Sequence, residues 1–128
     1  MTKRVFVVDD ERIIADSLAT ILNHSGYQAS AFYDAESALL ACELGNPDCI
    51  ITDVVMPGMS GLHLALEIKD RFPSCRVLLF SGHAATSNLL AMARGRGHDF
   101  DVLRKPVHPK DLLARLEIGH RDSERDKS

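Results

Sequence analysis

Residues 49–68 read CIITDVVMPGMSGLHLALEI, and the change of rhythm within them decides the fold class. Cys49 to Thr52 is a short apolar and β-branched run, as expected of a strand covered on both faces. Asp53 closes it. Met56-Pro57-Gly58-Met59 then supplies turn chemistry and two methionines for packing. After the turn, Leu62, Ala65 and Leu66 recur at helical spacing. Strand, polar loop and amphipathic helix together make one βα unit of a parallel sheet.

The same unit repeats on either side. Short β-rich runs lie at Arg4 to Val8, Gln28 to Phe32, Arg76 to Phe80 and Asp101 to Leu103. Helical spacing follows each of them: Ile14, Leu18, Ile21 and Leu22; Ala38, Leu39 and Cys42; Leu89, Leu90 and Ala93; Leu112, Leu113 and Leu116. Strands one, three and four are almost wholly apolar, whereas Gln28-Ala29-Ser30-Ala31-Phe32 is more polar and reads as a sheet edge. Ser25-Gly26, Gly45-Asn46-Pro47-Asp48 and Phe72-Pro73-Ser74 break the chain, Asp34 is placed to cap the second helix, and Pro109 suits the first turn of the last. The expectation is an α/β fold, a doubly wound parallel sheet of (βα)5 type with strand order 2-1-3-4-5.

At 128 residues, the chain can bury roughly two thirds of its unfolded surface in one domain without staples. That domain is expected over residues 3–118. Residues 119–128 contain no apolar side chain and read as a disordered, solvated tail. A formal net charge of −3 offers no attraction for nucleic-acid phosphates or anionic lipid. Three cysteines without C-x-x-C spacing propose neither a disulfide framework nor a zinc site. The six histidines lack close paired spacing, which disfavours a metal cluster built on them. No apolar run reaches the roughly 18 residues of a membrane span, and a cytoplasmic location is expected.

In an open parallel sheet, ligands bind beyond the carboxyl ends of the strands. Strand one ends in Asp9-Asp10-Glu11, strand three in Asp53, strand four in Ser81-Gly82 and strand five in Lys105-Pro106. Strand two ends in Phe32-Tyr33, with no comparable group, in keeping with a place at the edge. Taken singly, Asp9 or Asp10 reads as a helix N-cap, Asp53 as an Asx turn and Lys105 as a solvated lysine. Four polar strand ends in one sheet reverse those odds. Two carboxylates about 4 Å apart repel by roughly 4 kcal/mol at an effective dielectric near 20, so either a proton is retained or a cation is bound. An all-oxygen set with few protein ligands suits Mg2+, and Lys105 and Ser81 add an ammonium and a hydroxyl around a space fit for a phosphoryl group. The nucleophile is then a carboxylate.

These residues, in this order and on these elements, resemble the receiver domain of response regulators in two-component signalling, over about Lys3 to Glu117. The resemblance implies a flavodoxin-like fold and a phosphorylation switch that catalyses only its own phosphorylation and dephosphorylation. It implies Asp53 as phosphoacceptor, with Mg2+ held by Asp10, Asp53 and the backbone carbonyl of Val55, and by Asp9 through water. It implies Lys105 holding the phosphoryl group, Ser81 turning toward it, and a cis Lys105-Pro106 bond. The implied partners are a sensor histidine kinase or histidine phosphotransfer protein and a downstream protein target. The implied output surface comprises the helix after strand four, strand five and the last helix.

The chain departs from the family pattern at Val102, where an aromatic residue usually stands. Phe100 shares its strand parity and is the candidate substitute for the switch. Val55 and His83 flank the phosphosite and can screen or orient attacking water. A stand-alone switch is the first expectation; a phosphorylation-independent interaction module, or a receiver cut from a longer regulator, is the alternative. A phosphohydrolase ranks lower because Asp53-Val54-Val55 lacks a second acid. Flavin mononucleotide is disfavoured by the repulsion of Asp9-Asp10-Glu11 for its phosphate.

Overall fold

The computed structural model describes residues 3–82, 91, 94, 95, 97 and 100–126, with side chains as far as Glu117 in the last helix. Five strands, β1 (Arg4–Val8), β2 (Gln28–Phe32), β3 (Cys49–Asp53), β4 (Arg76–Ser81) and β5 (Asp101–Arg104), form one parallel sheet ordered β2-β1-β3-β4-β5. The helices are α1 (Arg12–His24), α2 (Ala35–Leu44), α3 (Gly61–Arg71) and α4 (Pro109–Asp126). This is the flavodoxin-like arrangement expected from the sequence. Of the helix expected around Leu89, Leu90 and Ala93, those three residues lie outside the described ones, while Ala91, Arg94 and Gly95 of the same segment are helical.

Strand parity divides the interior into two cores, as a sheet covered on both faces requires. Val5, Val7, Ile51, Leu78 and Phe80 face Leu18 and Leu22 of α1 and Leu112 and Leu116 of α4. Phe6, Val8, Ile50, Val77 and Leu79 face Ala38 and Cys42 of α2 and Leu64, Ala65 and Ile68 of α3. Each fully buried Leu or Ile contributes about 1.5–3 kcal/mol relative to exposure. The expected α1 stripe is rotated slightly: Ala15, Leu18, Ala19 and Leu22 are buried, Ile14 and Ile21 only partly so.

β2 is indeed the edge, and its backbone is partly occupied. The Asn23 amide accepts from the Ala29 N–H at 2.8 Å and donates to the Ala29 carbonyl at 3.1 Å. That takes up groups that would otherwise invite another strand. Asp34 caps α2, accepting from the Ser37 N–H at 2.6 Å. The three cysteines are buried thiols, and no described helix is long and apolar enough to cross a membrane.

The element boundaries add detail to the sequence reading. Neither Asp9 nor Asp10 caps α1: the N-cap is Glu11, and its side chain makes no capping hydrogen bond. β3, β4 and β5 each run one residue further than their apolar runs, because the sheet pairing Asp53↔Phe80 and Ser81↔Arg104 continues onto polar residues. Finally, α4 is helical through Asp126. A formed helix adds one hydrogen bond per residue fixed, and it can propagate without any apolar face to bury.

Candidate functional site

The site is set by how the strands end. Backbone bonds carry the sheet pattern one residue past each terminus: Asp9 N–H to Phe32 O at 3.0 Å, Val54 N–H to Phe80 O at 3.2 Å, and Lys105 N–H to Ser81 O at 3.0 Å. These pins bring Asp9, Asp53, Ser81 and Lys105 to one end of the sheet. α3 presses on β3 from below. Gly61 donates its N–H to the Val54 carbonyl at 2.8 Å, and a Cβ on Gly61 would lie 1.5 Å from the Asp53 carbonyl oxygen. Only glycine permits that approach.

The Lys105 ammonium bridges two carboxylates, at 2.9 Å from Asp9 Oδ2 and 3.0 Å from Asp53 Oδ2. Asp9 also accepts the Glu11 N–H on Oδ1 at 2.9 Å, so both of its oxygens are engaged. Asp53 Oδ1 differs: among the described residues it is the buried side-chain oxygen with no hydrogen-bond partner. Carboxylate oxygens of Asp9, Asp10 and Asp53 lie within 4.8 Å of one another, with Asp10 exposed and the other two buried. Asp10, Asp53, Val55, Gly82 and Lys105 line a cleft of about 590 Å³ beside them.

Among the described residues, three carboxylates face one ammonium, which leaves the cluster short of positive charge. Burial raises the Asp9 carboxyl above its ordinary range, against the Glu11 N–H and Lys105, which favour its ionised form. Burial also disfavours the Lys105 charge, but the hydrogen bonds it donates to Asp9 and Asp53, together with their negative charges, outweigh it, so Lys105 stays protonated to higher pH than usual. An orphaned buried oxygen beside an exposed carboxylate fits a hard divalent cation with oxygen ligands. Asp10 and Asp53 have the open positions for direct ligation; Asp9, fully engaged, suits an indirect role.

Each expected site residue can now be placed. Asp9, Asp10, Asp53 and Lys105 converge, Val55 is exposed at the cleft, and the Lys105-Pro106 bond is cis. Ser81 is buried at the end of β4. Val102 pairs with Leu79, and both Val102 and Phe100 pack on the α2/α3 side of the sheet. His83 lies outside the described residues.

Sequence reasoning missed two contributors. Gly61 reads as an ordinary loop glycine until α3 is docked. Phe80 reads as a core strand residue, yet the Lys105 ammonium lies 5.0 Å from its ring centroid. Its position next to Ser81 and on the opposite face of β4 was the available signal.

A family model described as the response regulator receiver domain matches residues 5–117. The chain is similar to the CheY-like receiver domain protein from Methanospirillum hungatei, at 25% identity and TM-score 0.88, over 98% of this chain and 99% of that one. It is similar to a response regulator receiver domain protein from Clostridium thermocellum, at 27% identity and TM-score 0.83, over 95% and 97% of the two chains. NtrX from Brucella abortus is 32% identical with TM-score 0.85, and there the match covers 99% of this chain but 28% of the longer protein. The family match begins inside β1, ends in α4 and takes in every carboxylate of the cleft, and so the chain belongs to the response regulator receiver domain family, the switches of two-component signalling.

Proposed function

We propose that Asp53 accepts a phosphoryl group from the phosphohistidine of a sensor kinase or histidine phosphotransfer protein. The observation that carries this reading is the Lys105 bridge to Asp53 Oδ2 beside an unpartnered, buried Asp53 Oδ1. One oxygen is oriented by a fixed positive charge; the other is left for a cation.

In the transfer, an Asp53 oxygen attacks phosphorus in line as the phosphorus–nitrogen bond to the donor imidazole breaks, and the freed imidazole takes up a proton from solvent. Such a reaction needs placement and charge neutralisation more than covalent help. Asp10, Asp53 and the Val55 carbonyl would hold Mg2+, with Asp9 acting through water, and the ion would supply positive charge to offset that of the phosphoryl group. Asp9 keeps the Lys105 ammonium in the cleft while Lys105 shifts from the Asp53 carboxylate to the new phosphoryl oxygens. The Ser81 hydroxyl donates to the same group.

Transfer replaces one negative charge at Asp53 by about two. That change moves the chain between two arrangements only through their different affinities for the added charge. β5, α4 and the segment before β5 form the surface read by a downstream protein. We place the domain at residues 3–118 and the reaction in the cytoplasm. A second reading, an interaction module that needs no phosphoryl group, draws on Val102, which packs in the α2/α3 core where an aromatic switch residue is usual.

Incubation with phosphoramidate and Mg2+ tests the proposal by intact mass. One phosphoryl group is expected on the unaltered chain, none on Asp53→Asn and none in excess EDTA. Equal uptake by Asp53→Asn refutes the assignment. Equal capture of a cognate target with and without beryllofluoride establishes the second reading instead.

A further inference from the structure

We propose that Phe80 is a positioning residue for Lys105, its ring holding the ammonium between Asp9 and Asp53. This rests on the phosphoryl-transfer reading of the cleft for its consequence, but not for its geometry. Lys105 hydrogen-bonds Asp9 and Asp53, and its Nζ is 5.0 Å from the Phe80 ring centroid. The Phe80 side chain is 1% exposed and that of Lys105 18% exposed. A cation held against an aromatic ring gains more when both are withdrawn from water.

The two partners differ in stiffness. Phe80 lies on a central strand, paired with Asp53 on one side and Leu103 on the other, and its carbonyl accepts the Val54 N–H. Its ring packs among Leu18, Leu78 and Leu112. Lys105 carries a flexible four-carbon stem that loses rotamer freedom when fixed. The rigid ring therefore constrains the mobile cation. Alternation along β4 makes this possible, because Ser81 and Phe80 point to opposite faces. One strand end thus supplies a hydroxyl on one side and a seat for the ammonium on the other.

The seat has a specific use. During transfer, Lys105 must exchange a carboxylate oxygen for phosphoryl oxygens. Attraction to a ring face is broad in direction compared with a hydrogen bond, so it persists while the hydrogen-bond partner changes. A leucine would keep the site apolar and offer no such attraction.

Phe80→Ala would empty the core, so the test keeps the ring. Phenylalanine at position 80 is replaced by its 4-fluoro, 3,5-difluoro and 3,4,5-trifluoro analogues, which weaken the ring quadrupole with little change of shape. The rate of phosphorylation by phosphoramidate should fall steadily with fluorine number, by about 2- to 30-fold across the series, while the melting temperature stays level. In a Lys105→Met background the series should be flat. Independently, the Lys105 Hε resonances should be shifted upfield by the ring current and return to ordinary positions in Phe80→Leu. Rates independent of fluorination, or rates that merely follow the melting temperature, overturn the inference. If the unaltered chain takes up no phosphoryl group, the proposed function fails instead. The Lys105 resonances then still decide whether the ring seats the ammonium, and ordinary shifts in the unaltered chain reject it.

Discussion

Two charge clusters in this molecule are mirror images in sign. At the carboxyl end of the sheet, one cation, Lys105, lies between two carboxylates, Asp9 and Asp53. At the start of β5, one carboxylate, Asp101, lies between two cations, Arg76 and Arg115, at 3.2 and 3.0 Å. The distances barely differ. The surroundings do: the Asp9 and Asp53 side chains are 0% and 5% exposed, whereas that of Asp101 is 46% exposed. Water screens the second cluster and makes it a surface tie worth about 0–1 kcal/mol per pair. In the first, desolvation shifts protonation equilibria and leaves a buried oxygen without a partner, the properties a reactive site needs.

The largest effect should come from breaking the support beneath the buried cluster. Gly61→Ala places a Cβ against the Asp53 carbonyl oxygen, and α3 must withdraw from β3 to relieve it. A loss of at least about 3 kcal/mol in urea unfolding is expected. A change under 1 kcal/mol would show that the close approach is unnecessary.

Lys105→Met and Arg115→Met compare the clusters directly. Removing Lys105 leaves two buried carboxylates uncompensated and should cost about 3 kcal/mol in EDTA, with partial recovery in millimolar Mg2+. Removing Arg115 should cost less than about 1 kcal/mol, with no response to Mg2+. Equal losses would erase the distinction.

Asp9→Asn sharpens it through pH. Because the folded carboxyl of Asp9 titrates above its ordinary 3.8, its contribution to stability is fully present below that value and is lost as pH rises through the folded value. The metal-free Asn variant should therefore lose less stability than the unaltered chain between acid and neutral pH. A steeper loss would contradict the burial argument.

The smallest effect at neutral pH concerns the thiols. Burial pushes Cys49 and Cys75 to about 12 and Cys42 to about 11, from an ordinary value of 9.0. All three stabilise the fold fully below pH 9.0 and lose that contribution as pH rises through their folded values. At pH 8, a disulfide reagent should therefore modify them at the rate of unfolding. Fast modification of the folded chain would place a thiol at the surface.

The same contrast explains how much the sequence disclosed. Strand order and the converging acids were legible because polar residues closing apolar runs can only gather at one end of a parallel sheet. Asp34 was legible as a cap because its signal is local. Phe80 was not, since strand parity gives its face but not the path of the Lys105 stem 25 positions later in the chain. Gly61 was silent because close approach belongs to the docked helix, not to the dipeptide. The extent of α4 was not legible, because its polar last turns carry no hydrophobic period to read.

The central claim is that Asp53 is the reacting group of a Mg2+-dependent cleft. Borohydride reduction after incubation with phosphoramidate, followed by peptide mass spectrometry, converts an aspartyl phosphate to homoserine and locates it. Homoserine at position 53 in Mg2+, and unmodified Asp53 in EDTA, is the predicted result. Homoserine at another carboxylate, or phosphate retained on a histidine or serine with position 53 untouched, would contradict the account.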